Sequence, residues 1–211
     1  EMEMEMEMDM EMEMTTMTGL EVHIVQLPAL RVASVYGFGA SPELLAWEKL
    51  LTWATDKGLL DEPPTYRIFG FNNPNPTVGS PNYGYEFWIS VGPQIESDDV
   101  AIVKEFPGGR YAVTRCVGVE EISGGWQALV AWLVDSGHGQ ADHQWLEEHI
   151  GAVGQSPQRW TIALHAPIAG RLVRGLRRSC MPPDMQRAAV GAAQAANPAL
   201  GGPTASRRRR R

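Results

Sequence analysis

Between Tyr83 and Val91 the chain alternates in character. Tyr83, Tyr85, Phe87, Ile89 and Val91 fall on one side, and Gly84, Glu86, Trp88 and Ser90 on the other. A period of two predicts a strand with two different faces, the aromatic one turned to a core. Upstream, residues 21–36 carry β-branched positions on both sides of Pro28, which marks a bend in an extended segment. Ser41-Pro42-Glu43 reads as a helix start, with Ser at the N-cap and Pro where no donor is lost. That helix is expected to reach Lys57, with Gly58 as its left-handed cap and Leu44, Trp47, Leu51 and Ala54 as its apolar stripe. Residues 66–71 read as another strand, and the Asn- and Pro-rich stretches around 72–76 and 79–82 as loops. Downstream the pattern predicts strands at 100–106, 110–117 and 159–167. It also predicts a helix at 123–136 with Trp126, Leu129, Val130 and Leu133 inward.

The two halves of this pattern are copies. Pro28, Arg31, Ala33, Trp47, Leu50, Trp53, Asp56 and Gly58 recur as Pro107, Arg110, Ala112, Trp126, Leu129, Trp132, Asp135 and Gly137, each displaced by 79 residues without a gap. Two of the pairs are tryptophans, a rare residue. A tandem duplication of one supersecondary unit follows. The repeat also decides residues 143–150. Their composition favours a helix, but the offset lays Tyr66–Phe71 over Trp145–Ile150, so a strand is expected. The fold class is α+β: two strand-helix-strand-strand units, about residues 21–91 and 100–168, sharing a mainly antiparallel sheet with both helices packed on it.

Charge separates this domain from the ends of the chain. Residues 1–14 alternate Glu or Asp with Met and carry a net −7, residues 15–168 a net −9, and residues 169–211 a net +9 with Arg207–Arg211 at the end. All 17 aromatic residues lie between Tyr36 and Trp160. The folded domain is therefore expected at 20–168. The acidic segment 1–19 and the Arg-rich tail 169–211 are expected to be disordered. Contacts of the tail with nucleic acid or anionic lipid are the weaker reading, and the acidic core argues against gripping nucleic acid. No apolar run approaches the ~18 residues of a membrane helix. No basic-then-apolar leader is seen, and Cys116 and Cys180 match no metal pair, so a cytoplasmic chain is expected. No phosphate loop, dinucleotide fingerprint or zinc cluster is present, and no cofactor is expected.

These residues resemble the effector-binding domain family of bacterial regulators, also called the gyrase-inhibitor-like family. The resemblance rests on Val25-Gln26-Leu27-Pro28 with Arg31-Val32-Ala33, the Trp47 helix, Phe69-Gly70-Phe71-Asn72-Asn73-Pro74, Tyr83-Gly84-Tyr85-Glu86-Phe87-Trp88, Phe106-Pro107-Gly108-Gly109-Arg110-Tyr111-Ala112 and Pro167-Ile168. It implies two units around a pseudo-twofold axis with a ligand pocket between them. It also implies binding of small hydrophobic molecules, cationic ones among them, for sensing or sequestration. Hydrolysis of strained electrophiles and a gyrase-inhibitor-like interaction are the alternatives. No helix-turn-helix pattern accompanies the domain, so a stand-alone member is expected.

Alternation puts Glu86 beside Trp88 on one strand face, a carboxylate next to a large ring, which suits a lipophilic cation. The resemblance assigns the pocket acid to the same residue. In an empty apolar pocket the proton affinity of Glu86 is expected to rise. Tyr36, Tyr111, Trp126 and Trp145 are candidate pocket walls. The repeat lays His165 over Glu86, where the family often carries an aromatic such as Tyr; His165 is a candidate ligand contact or proton donor. If the domain is an enzyme, Glu86 with His165 would carry the chemistry. His138, His143 and His149 with Asp142, Glu147 and Glu148 match no zinc spacing and read as a solvated polar segment. Cys116 reads as a small buried residue.

Overall fold

Each repeat lays down two strands, a helix and two more strands. The computed structural model describes residues 20–60 and 66–171; the segments expected to be disordered, 1–19 and most of 169–211, lie outside them. The first repeat gives β1 (His23–Leu27), β2 (Leu30–Gly39), helix α1 (Pro42–Asp56), β3 (Ile68–Asn72) and β4 (Tyr83–Ser90). The second gives β5 (Ile102–Phe106), β6 (Gly109–Val117), helix α2 (Ile122–Ser136), a short β7 (His138–Gln140), β8 (Leu146–Ile150) and β9 (Thr161–Arg171). The strand at 146–150 is the one the repeat required against local composition. β7 has no counterpart in the first repeat, and β9 continues to Arg171, past the expected boundary at 168.

The strand order is β1-β6-β9-β8-β3-β4-β2-β5, with β7 added beside β9. Every pairing is antiparallel. Exchanging the repeats reads the main order backwards onto itself. The pseudo-twofold axis falls at the central β3–β8 pair, where Phe69 faces Glu148, two residues related by the 79-residue offset. The outer strands are exchanged: β1 lies on β6 of the other repeat, and β5 on β2.

Leu27 on one edge strand and Phe106 on the other belong to one buried cluster with Phe69, Trp88, Tyr111 and Leu146. The sheet is therefore curled, with this face inside. The opposite face carries the helices, α1 over β2 and β4, α2 over β6 and β9. Alternation along β4 is as expected: Tyr85, Phe87 and Ile89 join the α1 core, and Trp88 joins the inner cluster.

The α1 stripe differs from the expected one. Pro42, Ala46, Leu50, Trp53 and Ala54 are buried, whereas Leu44 is 45% exposed. The helix is rolled because Ala46 sits against Gly37 of β2, where any added methyl group would strike the Pro42 carbonyl and Ala46. A close approach of backbone to backbone needs small residues at the contact. Trp53 turns inward because its indole N–H donates to Asp98 at 2.8 Å. Ser41 holds the N-cap position without a side-chain cap hydrogen bond, and Gly58 has the expected positive φ of 65°. In α2, Ile122, Trp126, Leu129 and Leu133 are buried, and Val130 is only partly so.

Candidate functional site

On the inner face, Glu86 lies between Tyr36 and Phe71 on the neighbouring strands and is buried. Its Oε2 accepts from Ser34 Oγ at 2.6 Å, Lys104 Nζ at 2.8 Å and Trp88 Nε1 at 3.0 Å, and its Oε1 accepts from Asn73 Nδ2 at 2.7 Å. The expected rise in proton affinity is not found. Burial alone pushes the carboxyl up, but the four donors outweigh it and bring its pKa down to about 2. Lys104 also lies 5.9 Å from the centre of the Trp88 ring. The chain's own ammonium thus holds the position foreseen for a cationic ligand.

His165 and Tyr111 share this inner face. His165 is 2% exposed, its Nδ1 is 2.9 Å from the Ala163 carbonyl, and its ring stands edge-on to Phe69 and Tyr111. Burial holds the imidazole neutral, although Glu148, 3.5 Å from Nε2, opposes that shift. Glu148 is itself taken by Arg67, whose Nε and Nη2 donate to its two oxygens at 2.6 and 2.8 Å. Tyr111 is fully buried and donates its hydroxyl to the Gln144 carbonyl at 3.1 Å. Tyr36 stays 41% exposed.

Trp126 and Trp145 lie on the other side of the sheet, where they meet an acid. Because the helices cover the flanking strands, the central pair β3–β8 lies in the cleft between them. Glu147 of β8 projects into it. Trp126 Nε1 donates to its Oε1 at 2.9 Å and the Tyr85 hydroxyl to its Oε2 at 2.7 Å. Trp145 packs on Trp126 with ring centres 5.4 Å apart. Gly70 faces Glu147 across the strand pair, and a methyl group there would collide with the Tyr85 hydroxyl. Burial pushes the Glu147 carboxyl up; Trp126 and Tyr85 pull it down by less, and the Glu43 charge adds to the rise. Glu43, at the start of α1, is raised by burial too and accepts from the Tyr83 hydroxyl at 2.6 Å. The cleft therefore holds the desolvated carboxyl of a half-buried residue, lined by aromatic rings.

The sequence model of the integron-associated effector-binding proteins matches residues 23–168, nearly the whole of both repeats. The chain belongs to this family. A comparison with curated proteins gives no match. Among solved structures, the C-terminal domain of EcmrR superposes with a TM-score of 0.56 at 14% identity, covering 71% of this chain and 98% of that domain. EcmrR in its complex with DNA gives 0.56 at 14% identity; 78% of this chain is matched, to only 64% of that one. A hydrolase from Listeria innocua gives 0.53 at 10% identity, covering 71% and 92%. These likenesses show the fold.

In this effector-binding protein the inner-face candidates are thus separated from Trp126 and Trp145 by the thickness of the sheet. Glu147, Tyr85 and Glu43 are the site residues that sequence reasoning passed over. The signal for Glu147 lay in the repeat: once 146–150 is a strand, Glu147 must share the helix-side face with His149. The polar segment read as solvated is dispersed. His138 stacks on Trp132, His143 lies beside Tyr111, and His149 is buried against Trp47, Phe87 and Trp160. Cys116 is half-buried, and burial lifts its thiol to about 12, which leaves it a poor nucleophile. Among the described residues no helix is long and apolar enough to cross a membrane.

Proposed function

We propose that the protein binds small hydrophobic cations in the cleft between α1 and α2, with Glu147 as the charged contact and Trp126, Trp145 and Tyr85 as the walls. The observation that carries this reading is the environment of Glu147: a half-buried residue whose desolvated carboxyl lies among rings, with no lysine or arginine among its hydrogen-bond partners in the described residues. A ligand cation would supply the missing charge and lie against indole faces. The net −9 of residues 15–168 favours its approach. Membership of an effector-binding family supports a ligand-holding role for the same domain. Glu86 in this reading braces the inner face through Lys104, and Tyr36, Tyr111 and His165 belong to that brace.

The test is a titration of crystal violet and of its neutral leuco form against wild type and Glu147→Gln from pH 5 to 8. The substitution should weaken the cation by roughly 30- to 1000-fold, as for a partly desolvated charge pair of ~2–4 kcal/mol, and the neutral form far less. Cation binding should strengthen as pH rises through the raised pKa of Glu147, because only the carboxylate pairs with it. Equal affinity of both proteins for the cation refutes the assignment.

A second reading rests on the same carboxyl. Held toward its protonated form 2.7 Å from a tyrosine hydroxyl, Glu147 is placed as a general acid–base group for hydrolysis of a strained electrophile. Consumption of such a compound by wild type and not by Glu147→Gln would make the protein an enzyme.

A further inference from the structure

The cleft has two ends, and the duplication makes them comparable. Trp47 of α1 and Trp126 of α2 are equivalent under the repeat, as are Gly70 and His149, and Ile68 and Glu147. Trp126 donates to Glu147 at one end. At the other end Trp47 lies against His149, with ring centres 6.1 Å apart. Phe87 and Trp160 complete the enclosure at 5.1 and 5.3 Å, both edge-on to the imidazole. His149 is 5% exposed, and among the described residues neither ring nitrogen reaches a hydrogen-bond partner. Burial alone lowers its pKa to about 3, so the ring is neutral across the physiological range, with one nitrogen an unused donor and the other an unused acceptor.

An imidazole left unpaired in an aromatic box is costly, because each buried polar atom has lost its water. A leucine or phenylalanine would fill the same space without that cost. The box is not sealed by deep core: Trp47, its cover, is itself only partly buried and packs against both helix-side clusters. His149 and Glu147 are two apart on β8, so both point to the helix side about 7 Å from each other.

We infer that His149 is the second polar contact of the cleft, accepting an N–H or O–H from a ligand whose positive charge lies at Glu147. The inference rests on the ligand-binding reading above and narrows its ligand class. The favoured cation carries a hydrogen-bond donor about 7 Å from its charge, and it reaches the imidazole past Trp47, which is only partly buried. A fully alkylated cation of the same size satisfies Glu147 and leaves His149 unpaired.

Two triarylmethane dyes of one skeleton separate the contacts. Pararosaniline carries N–H groups on its rings; crystal violet has every amine methylated. Both are titrated against wild type, His149→Phe and Glu147→Gln. His149→Phe should weaken pararosaniline by about tenfold, the effect of one lost hydrogen bond, and leave crystal violet within about twofold. Glu147→Gln should weaken both. Equal effects of His149→Phe on the two dyes, or none on either, overturn the inference. Binding insensitive to Glu147→Gln refutes the charge assignment and leaves the His149 comparison readable. Should His149→Phe fail to fold, wild type with 15N-labelled histidine gives the same answer. The His149 ring resonances should shift with pararosaniline and not with crystal violet, and no selective shift overturns the inference.

Discussion

Replacing Glu86 by Gln keeps the side chain's shape and removes its charge, which isolates what holds the inner face. In the folded protein this carboxyl titrates at about 2 against an ordinary 4.5. The sign follows from that depression: the stabilisation is present above pH 4.5 and is lost as pH falls from there toward 2. The full difference corresponds to roughly 3 kcal/mol at about 1.4 kcal/mol per pH unit. Lys104 is 40% exposed, so solvent screens part of it, and ~2–3 kcal/mol is the expected loss at pH 7. Ser34, Trp88 and Asn73 can still bond to the amide if Asn73 reverses its own, so the neutral hydrogen bonds survive. For a domain of this size the melting temperature should fall by roughly 5–10 °C. Urea unfolding of wild type and Glu86→Gln at pH 7, 5, 4 and 3 is the assay. The gap should be constant from pH 7 to 5 and shrink below. A loss under ~0.5 kcal/mol at pH 7, or one that does not change toward pH 3, would refute the charge-based account.

The helix-side acids should behave in the opposite sense. Glu43 and Glu147 are both raised, so the stability they contribute is complete in acid and is lost as pH rises through their folded values. Glu147→Gln should flatten that decline, read from unfolding free energies between pH 4 and 8. Gly70→Ala should cost ~1–3 kcal/mol, because its methyl group displaces the Tyr85 hydroxyl from Glu147; chemical denaturation measures the loss, and crystal violet binding should weaken with it. Trp53→Phe removes the 2.8 Å bond to Asp98 and should cost ~1–2 kcal/mol by thermal melting, with dye affinity unchanged because the bond it loses is to Asp98 and not to a cleft residue.

The fold was legible because two independent signals agreed. Alternation marked β4 and both of its faces, and the 79-residue repeat supplied β8 where Trp145-Leu146-Glu147-Glu148-His149 looks locally helical. The roll of α1 was not legible, since Leu44 and Ala46 both fit an apolar face and only the close approach to Gly37 decides between them. The site was half legible. Trp126 and Trp145 were marked as walls, but the acid they surround was not. Alternation shows that Glu86 shares a face with Trp88; it cannot show that the exchanged strand β5 brings Lys104 onto that face. Whether a carboxylate is free for a ligand depends on partners distant in sequence, and strand pairing settles those partners.

The exchange of outer strands has a consequence for how such a chain arose. A single repeat would leave β2 without β5 and β6 without β1, so each half completes its sheet with a strand of the other. That is the geometry two copies of one repeat would have as a strand-swapped homodimer. In a dimer of identical repeats every substitution would appear twice, and any site on the axis would be symmetric. Within one chain the two copies are free to differ. Glu147 now stands where its twin is Ile68, His149 where its twin is Gly70, and Glu86 where its twin is His165. One cleft with chemically different ends is what a single chain makes available and a symmetric dimer could not have.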